Sequence, residues 1–503
     1  MSQVMDIIKD QSLTYHQQIL ELAAVAGNSE TVLHYGEAAD ELIKQNVICT
    51  MFEGEIPYRP RYIVPDYEKL MTQGCKFLEL DPPTNIWEAT NALLIFYKHV
   101  PSITSFPVYI GNIDTLLQPF VKDEAEAYLA IKLFLQHIDR TLTNSFVHAN
   151  IGPIDTVAGR LILKATEELQ CSMPNITLKC EEGVTSNEFM ELSASVALKT
   201  AKPSFADHTK YKKAFGTENY AIVSCYNGFN ISGGGYTLVR LVLSNLAKKA
   251  TSVEDFLENQ LPMGAKETLR VIDERSRFVR EESTFFTSNF LVKEGFVSRD
   301  LFTGMLGVVG LAEAVNTLLH TTDSTERFGR CEEANKLGLT IIEKLSELVK
   351  KHHSPYVDCF DGNHFLHAQV GLDTDDGFSP GCRIPVGEEP DLMEHILQSA
   401  PFQKYFINGI GDIFVFEETY QKHPEALVRI VKGAFDNGIH YFSAYGAGGD
   451  MVRVTGYLAK RSEVERLENG EAVLNNAAIF AKGAKNNGKA FDRKERRYPD
   501  ADK

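Results

Sequence analysis

The chain has 503 residues, of which 44% are hydrophobic and 24% charged, and its formal net charge at pH 7 is −17. This composition is typical of globular proteins and excludes an intrinsically disordered chain. Because an acidic surface repels phosphate backbones, the charge also argues against nucleic acid as a main partner. The eight cysteines are scattered without a CxxC pair, which suits a reducing cytoplasm better than a secreted disulfide scaffold.

The N-terminal part of the chain predicts helices and an irregular connector. Residues 1–27 carry apolar residues at helical spacing and lack a signal-peptide pattern. The connector Ile56–Tyr67 contains three prolines and is predicted to lie extended over the surface. The longest apolar run, Met305–Val315, includes Glu313 and is too short to cross a bilayer. We therefore predict a soluble, cytoplasmic protein without a membrane partner.

Short β-rich runs alternate with helical patterns through the middle of the chain. The predicted strands are 105–111, 145–150, 175–180 and 220–227, and a helical pattern follows each, the last of them over residues 237–250. This alternation predicts an α/β architecture with a largely parallel sheet. No Gly/Ser-rich or Pro-rich linker divides this part, which favours one large α/β body.

A glycine-rich stretch follows the last of these predicted strands. Ser232–Gly235 is predicted to open a helix and to present backbone N–H groups to an anion. The stretch lacks both the GK[ST] of a phosphate loop and the GxGxxG of a dinucleotide site. A flexible strand-to-helix turn is therefore the alternative. Cys225 stands just before the glycines, at the end of the apolar strand.

A His/Cys cluster further along the chain is a candidate for metal binding. Its members are His352, His353, Cys359, His364 and His367. Imidazole and thiolate groups bind zinc, but these spacings fit no compact zinc motif. We predict no metal site here, and pocket-lining or surface histidines are the alternatives.

The C-terminal part contains an interrupted strand and a basic tail. Gly456 interrupts the apolar run of Asp450–Glu463, which on propensity alone marks a bulge or a close approach. The tail Lys482–Lys503 holds eight Lys/Arg against four Asp/Glu. A basic tail on an acidic body is predicted to dock on its own protein or to fray.

Two of these segments carry a family resemblance. Arg453–Tyr457, with the sequence Arg-Val-Thr-Gly-Tyr, resembles the C-terminal signature of glycyl radical enzymes. Residues 219–250 resemble the cysteine-loop region of pyruvate formate-lyase-like members. Residues 302–318 and 423–442 are similar to stretches of anaerobic (class III) ribonucleotide reductases. The chain is thus identified as a member of the glycyl radical enzyme superfamily, most similar to its short YjjI-type family.

The resemblance implies an architecture. It is a ten-stranded α/β barrel of two antiparallel five-stranded halves surrounded by helices, with a cysteine loop and a glycine loop meeting inside. Residues 1–100 would be an N-terminal helical elaboration, residues 101–440 the barrel, and residues 441–503 the glycyl radical domain with the basic tail. The resemblance also implies a homodimer.

The resemblance implies a chemistry as well. A separate radical S-adenosylmethionine activase with an iron–sulfur cluster would install a radical on Gly456 after translation. This radical would convert Cys225 to a thiyl that abstracts hydrogen from a small polar metabolite and cleaves a C–C or C–X bond. The expected enzyme is an oxygen-sensitive lyase of anaerobic metabolism that needs no dissociable cofactor and no metal.

The sequence departs from better-known relatives beside the cysteine. Asn227 replaces the glutamate that many dehydratases carry two residues after the cysteine, and Ser224 replaces the first of the two cysteines of pyruvate formate-lyase. Neither mechanism therefore carries over directly. His148, Asn150 and Asn227 at strand ends are predicted substrate-binding residues, with turn hydrogen bonds as the alternative. Arg383 is predicted to meet an anionic substrate, with a structural ion pair as the alternative.

Three other functions remain open at the level of sequence. The first is a catalytically silent regulatory or spare-part protein of the same fold. The second is a ribonucleotide-reductase-like enzyme acting on a nucleoside or sugar, although the paired CxxC motifs of that class are missing. The third is a cofactor-free α/β binding protein.

Overall fold

Strands and helices alternate through most of the chain. The structure is a computed structural model that describes residues 3–51, 53–103, 106–143, 145–369 and 377–499. The strands are β1 (Ile48–Cys49), β2 (Tyr62–Val64), β3 (His148–Ile151), β4 (Asn175–Cys180), β5 (Ser204–Asp207), β6 (Tyr220–Val223), β7 (Asn227–Asn230), β8 (Gly233–Val242), β9 (Phe302–Val309), β10 (Phe365–Ala368), β11 (Asp412–Phe416), β12 (Tyr441–Gly446), β13 (Met451–Arg453), β14 (Leu458–Lys460) and β15 (Glu495–Arg496).

The α-helices lie mainly between these strands. They are α1 (Gln3–Lys9), α2 (Tyr15–Gly27), α3 (Glu37–Lys44), α4 (Tyr67–Gln73), α5 (Ile86–Lys98), α6 (Ile113–Leu117), α7 (Glu124–Thr141), α8 (Val157–Leu169), α9 (Asn187–Thr200), α10 (His208–Phe215), α11 (Leu243–Ala247), α12 (Val253–Asp255), α13 (Leu261–Arg277), α14 (Phe285–Ser288), α15 (Phe290–Lys293), α16 (Leu311–Leu318), α17 (Glu332–Lys351), α18 (Leu392–Gln403), α19 (Pro424–Asp436), α20 (Arg461–Glu468) and α21 (Asn476–Gly488). None of the helices in the described ranges has the length and apolar character needed to cross a bilayer.

Hydrogen bonds join most strands into two main sheets. In the first sheet β8, β9 and β10 run parallel in that order, while β1 and β2 both pair antiparallel with β8. The second sheet has the order β15-β11-β12-β5-β4-β3, and the strand direction reverses only between β12 and β5. The predicted α/β architecture with largely parallel pairing is therefore confirmed.

Capping side chains fix where helices begin after three strands of the second sheet. Thr156, Ser186 and Asp207 precede α8, α9 and α10, and each accepts a hydrogen bond from the N–H three residues further on. These bonds satisfy N–H groups that have no partner within the helix. The strands β3, β4 and β5 are buried along their whole length, as expected for strands covered on both faces.

Two short antiparallel hairpins stand apart from the main sheets. In the first, β6 pairs with β7, and Cys225 lies in the three-residue turn between them. In the second, β13 pairs with β14, and Gly456 lies in the four-residue turn. We call them the cysteine hairpin and the glycine hairpin.

The helix predicted after the cysteine hairpin is wrong. Gly233–Val242 forms β8, and the helix begins only at Leu243. The backbone of β8 pairs with β2 on one edge and with β9 on the other. The glycines therefore belong to a strand and do not open an anion-binding helix. The glycines give space, because a Cβ at Gly234 would collide with the Tyr62 carbonyl group of β2. A short run that is apolar on every side does not distinguish a buried strand from a buried helix.

The predicted surface position of the Ile56–Tyr67 connector is wrong for its second half. Tyr62–Val64 forms β2 and is buried against β8, and Arg61 beside it is also buried. Its three prolines are residues 57, 60 and 65, so the three residues of β2 keep the N–H groups needed for pairing. Two strands of the first hundred residues thus join a main sheet, while the domain division at residues 100 and 440 stays a prediction.

The strand predicted at 105–111 is also wrong. The segment runs beside β3, where Ile110 donates its N–H to the His148 carbonyl group and Asn112 forms an isolated bridge with Asn150. Residues 106–111 form no strand, and residue 105 lies outside the described part of the chain.

The basic tail docks on the protein, one of the two outcomes predicted for it. Its strand β15 pairs in parallel with β11 at the edge of the second sheet. The last four residues, 500–503, lie outside the described ranges.

Candidate active site

The cysteine hairpin holds Cys225 at its tip. Ser224 before it has a φ of 58°, which is the left-handed region that few residues with a side chain adopt. The Ser224 N–H also donates to the Val108 carbonyl group at 3.0 Å. Cys225 is only 4% exposed, so its thiol is shielded from bulk water.

The tip of the glycine hairpin touches this thiol. A Cβ placed on Gly456 would lie 1.9 Å from the Cβ and 2.1 Å from the Sγ of Cys225. With a Cα–Cβ bond of about 1.5 Å, the Gly456 Cα lies within about 3.6 Å of that Sγ. Gly456 does not have a left-handed φ. Space rather than backbone conformation therefore requires glycine here.

Two asparagines hold the hairpins from the strands below. The Asn150 amide donates to the Ile222 carbonyl oxygen at 2.8 Å and accepts from the Ile222 N–H at 2.9 Å. The Asn175 amide donates to the Gly456 carbonyl oxygen at 3.1 Å, and its own oxygen accepts from Arg453 at 3.0 Å. Each hairpin is thus tied to the second sheet by a buried side-chain amide.

A chain of hydrogen bonds runs from His148 to the cysteine. His148 Nδ1 lies 2.5 Å from the Ser224 carbonyl oxygen, and Nε2 lies 2.8 Å from Thr177 Oγ1. The Tyr441 hydroxyl lies 3.0 Å from Thr177 Oγ1 and 3.2 Å from the Cys225 carbonyl oxygen. Burial lowers the pKa of His148 to about 3, so the neutral ring donates from Nδ1. Thr177 then donates to Nε2, and the one Tyr441 proton is shared between its two neighbours.

These contacts bear on two of the predicted substrate-binding residues. Both ring nitrogens of His148 and both polar atoms of Asn150 are engaged with the protein itself. The side chains therefore support the cysteine hairpin and offer no free polar atom to a ligand.

The charge around Cys225 is positive. Burial raises the pKa of the Cys225 thiol, while the charges of Arg383, Arg61 and Arg453 act in the opposite direction. Burial prevails, so the sulfur keeps its proton at neutral pH. The site thus holds an S–H group rather than a thiolate.

The other two predicted substrate-binding residues lie beside the cysteine. Asn227 is 2% exposed, and its Oδ1 has no hydrogen-bond partner among the described residues. The guanidinium carbon of Arg383 lies 5.9 Å from the ring centroid of Tyr226. The same ring lies 5.4 Å from the ring of His367. Tyr226, the residue after Cys225, thus has Arg383 and His367 close to its ring.

The histidines of the His/Cys cluster separate in the structure. His367 packs beside the cysteine hairpin, whereas His352 and His364 contact Asp273 at 2.7 and 2.9 Å. The ligand atoms of this second group lie within 4.8 Å of one another. However, the Gly304 N–H donates to His364 Nδ1 at 3.1 Å, so the proton of the neutral ring is on Nε2, facing the carboxylate. A cation at Nε2 would displace that proton, and the group is better described as a hydrogen-bonded triad.

We expect Asp273→Ala to lower the free energy of unfolding by about 2–4 kcal/mol. The carboxylate accepts from Ser354, His352 and His364, and the substitution would leave their donors without a partner. The change is measured by urea unfolding. Asp300→Ala is the control, because the Asp300 side chain is 66% exposed. Equal stability of the two variants, or a rise in wild-type melting temperature with Zn²⁺, would contradict the triad.

The same group predicts a pH dependence. Although burial opposes ionisation, hydrogen bonds from His352 and His364 hold the pKa of Asp273 well below its usual range. A depressed carboxyl pKa stabilises the fold above the unfolded pKa of about 3.9, and the effect is lost as the pH falls through the lower folded pKa. The stability difference between the wild type and Asp273→Ala should therefore be constant above about pH 5 and shrink only in acid.

A residue of the docked tail, Arg493, forms hydrogen bonds with the glycine hairpin. Arg493 donates to the carbonyl oxygens of Arg453 at 3.0 Å and Val454 at 2.5 Å, and to that of Ala490 at 2.5 Å. Arg453 and Val454 are the two residues that precede Thr455 and Gly456 in the chain. One guanidinium group thus satisfies the acceptors at the base of the turn.

We expect Arg493→Ala to loosen this turn selectively. Loss of charge-assisted hydrogen bonds costs about 2–3 kcal/mol, and amide hydrogen exchange in residues 451–460 should become at least tenfold faster. Arg497→Ala is the matched control on the same tail, because Arg497 is exposed. Equal exchange in the two variants would contradict the role of Arg493.

Asn175, Thr177 and Tyr441 support the two hairpins and were not predicted as site residues. A signal for the first two was present, because polar and apolar residues alternate through β4. All six residues of that strand are nevertheless buried, so its polar face points into the protein. An alternating strand within an otherwise apolar α/β pattern therefore indicates a polar interior rather than a solvent face. Tyr441 carried no comparable signal.

Comparison with known proteins gives a consistent result. The chain matches the family model described as "Glycyl radical enzyme YjjI-like" over residues 13–496. A protein of Haemophilus influenzae is 45% identical over 499 residues, covering 98% of this chain and 97% of that protein.

Solved structures resemble the fold at low identity. The anaerobic ribonucleotide reductase of Thermotoga maritima matches with a TM-score of 0.71 and 12% identity over 92% of this chain and 93% of that chain. The B12-independent glycerol dehydratase of Clostridium butyricum matches with a TM-score of 0.70 and 11% identity over 98% and 88%. At these identities the likeness shows the fold, and it confirms the predicted α/β barrel.

Proposed function

Because this chain belongs to the YjjI-like glycyl radical enzyme family, we propose that it stores a radical on Gly456 and uses Cys225 to start a reaction on a small polar metabolite. The observation that carries this proposal is the contact between the two hairpin tips. A Cβ on Gly456 would lie only 2.1 Å from the Cys225 sulfur, far closer than two unbonded atoms can approach. The glycine Cα is thus within direct reach of a thiol hydrogen.

Each proposed step before and after bond cleavage transfers one hydrogen atom. The activase removes one hydrogen atom from the Gly456 Cα, leaving an unpaired electron there. The Cys225 S–H bond then breaks homolytically, a C–H bond re-forms on Gly456, and the sulfur becomes a thiyl. The thiyl takes a hydrogen atom from a substrate C–H bond, which restores S–H and leaves a carbon radical. After bond cleavage the product radical recovers a hydrogen atom from Cys225. The thiyl that this leaves takes back the hydrogen atom of the Gly456 Cα, which restores both the S–H bond and the glycyl radical.

The surroundings of the two residues suit this chemistry. A backbone radical is planar and spreads into both neighbouring amides, which only a residue without a side chain permits in this space. The protonated thiol supplies a hydrogen atom, as a thiolate would not. Both residues are buried, and exclusion of water protects reactive intermediates.

We assign the overall reaction to the lyase type, with cleavage of a C–C or C–X bond. Asn227 cannot transfer a proton at neutral pH, so its role is to hydrogen-bond the substrate. His148 and Asn150 are positioning residues that hold the cysteine hairpin, and Arg383 is a substrate-binding residue. No dissociable cofactor is needed, because the radical resides on the chain. The partners are a radical S-adenosylmethionine activase and a second copy of the chain in a cytoplasmic homodimer.

Electron paramagnetic resonance tests the proposal. The full chain is incubated without oxygen with its activase, S-adenosylmethionine and a reductant. We expect a doublet from the one hydrogen left on the Gly456 Cα, together with release of 5′-deoxyadenosine. Release of 5′-deoxyadenosine without any radical signal would overturn the proposal and favour a catalytically silent protein.

A further inference from the structure

Besides Arg453 of the glycine hairpin, two buried arginines bring positive charge to the site. Arg61 and Arg383 are 4% and 8% exposed. Burial raises the pKa of Cys225, and both charges oppose it. Burial also lowers the pKa of His367 to about 3, and both charges add to this effect. Geometry places Arg383 at the site directly, because its guanidinium carbon lies 5.9 Å from the ring centroid of Tyr226, the residue after Cys225, and that ring lies 5.4 Å from the ring of His367.

The described part of the chain does not fully balance these charges. One carboxylate, Glu53, serves both Arg61 at 3.0 Å and Arg275 at 3.1 Å. Its oxygens are further occupied by the Leu238 N–H at 2.8 Å and by the Thr237 hydroxyl. Two positive charges therefore share one negative charge at this end of the site.

Arg383 has no ion-pair partner within the described ranges of the chain. Arg383 does act electrostatically on one buried carboxylate, Asp412. Although burial opposes its ionisation, His395 and the charge of Arg383 hold the pKa of Asp412 below its ordinary value. Asp412 is itself occupied by the Ser399 hydroxyl and lies 3.6 Å from His395. Among the residues that the structure describes, an excess of positive charge thus remains at the site.

Polar atoms without partners accompany this charge. Four buried side chains hold atoms that have no hydrogen-bond partner among the described residues: Asn227 Oδ1, His367 Nδ1, Asn408 Nδ2 and Oδ1, and Arg61 Nε. Asn408 belongs to the same place, because its Oδ1 would lie 2.7 Å from a Cβ on Gly228, the residue after Asn227. Buried polar atoms are normally paired. The unpaired atoms are therefore available to form hydrogen bonds with a bound ligand.

We propose that the substrate of Cys225 carries an anionic group, a carboxylate or a phosphate, which Arg383 binds. A hydroxyl or carbonyl group of the same substrate pairs with Asn227, Asn408 and His367. The inference rests on the proposed function in one respect, that the substrate reacts at Cys225. An unbalanced buried guanidinium group is costly, and a planar anion satisfies it with two charge-assisted hydrogen bonds.

Alkylation of the thiol tests this without any radical. Iodoacetate and iodoacetamide have nearly the same shape, but only iodoacetate is charged. We expect the ratio of the iodoacetate rate to the iodoacetamide rate to be at least about tenfold higher at Cys225 than at the half-buried Cys331 of the same protein. Because both reagents attack the same sulfur, its pKa cancels from the ratio.

Variants separate Arg383 from a general effect. Arg383→Gln should reduce the ratio at Cys225 about tenfold and leave it unchanged at Cys331, whereas Arg383→Lys should retain most of it. Arg299→Gln is the control, because the Arg299 side chain is 50% exposed. The same ratio at the two cysteines, no effect of Arg383→Gln, or no reaction of Cys225 with either reagent would overturn the proposal.

Protection experiments identify the anion. Inorganic phosphate or acetate is added during alkylation by iodoacetamide, and the ion that slows the reaction at Cys225 names the group. Protection by neither ion would overturn the proposal. A radical signal with no anion preference would leave the proposed function intact, and anion preference without a radical would leave the binding site intact.

Discussion

Gly456→Ala is expected to abolish the glycyl radical completely. An alanine Cα radical would have to place its methyl group in the plane of the neighbouring amides, and this site has no room for a methyl group. The measurement is electron paramagnetic resonance after anaerobic activation. The expected result is no doublet from the variant under conditions in which the wild type gives one.

The same substitution should also disturb the packing of the two hairpins. The new Cβ would lie 1.9 Å from the Cys225 Cβ, and overpacking of this kind costs about 1–3 kcal/mol. We therefore expect a lower melting temperature in addition to the loss of the signal.

Gly449→Ala is the matched control, because Gly449 lies two residues before the first strand of the glycine hairpin. A Cβ there would lie 3.6 Å from its nearest neighbour, the Lys199 carbonyl oxygen, and its φ is not left-handed. This variant should keep both its stability and its radical. A doublet of wild-type intensity from Gly456→Ala would contradict the assignment of the radical to this residue.

Cys225→Ser is expected to keep the radical but to stop its transfer. In D₂O the wild-type thiol becomes S–D, and reversible transfer places deuterium on the Gly456 Cα. The doublet should then collapse toward a singlet, without any substrate being present. The O–H bond of serine is too strong for a glycyl radical to break, so the doublet of the variant should persist in D₂O.

Cys331→Ser serves as the control for this exchange. Cys331 precedes α17 at its N-cap position, where serine is well tolerated. We expect its doublet to collapse in D₂O like that of the wild type. Collapse of the doublet in Cys225→Ser would contradict direct transfer between Cys225 and Gly456.

Local patterns were enough to predict much of the fold. The runs that became β3, β4 and β6, and the helices after the first two, were visible as changes between period-2 and helical spacing. The run that became β8 was not, because all ten of its residues are buried and polar and apolar residues do not alternate strictly along it. Its pairing with β2 depends on contacts between segments that are distant in the chain.

The site was predictable only in part. Cys225 and Gly456 were found because short motifs around them resemble a family, whereas periodicity alone marked Gly456 as a bulge. The supporting residues Asn175 and Tyr441 were missed because their partners are backbone carbonyl groups of the hairpin tips. Arg61 was missed because it lies in a segment that three prolines made look irregular. Such contacts follow from the three-dimensional path of the chain and not from spacing.

Mass spectrometry of the activated protein after exposure to air tests the central claim most directly. Oxygen adds to a carbon radical and cleaves the backbone at that residue. Once a doublet has been recorded, aeration should release a C-terminal fragment of residues 457–503 and truncate the remaining chain at Gly456. An intact chain after loss of the doublet, or cleavage at any other residue, would contradict the storage of the radical on Gly456.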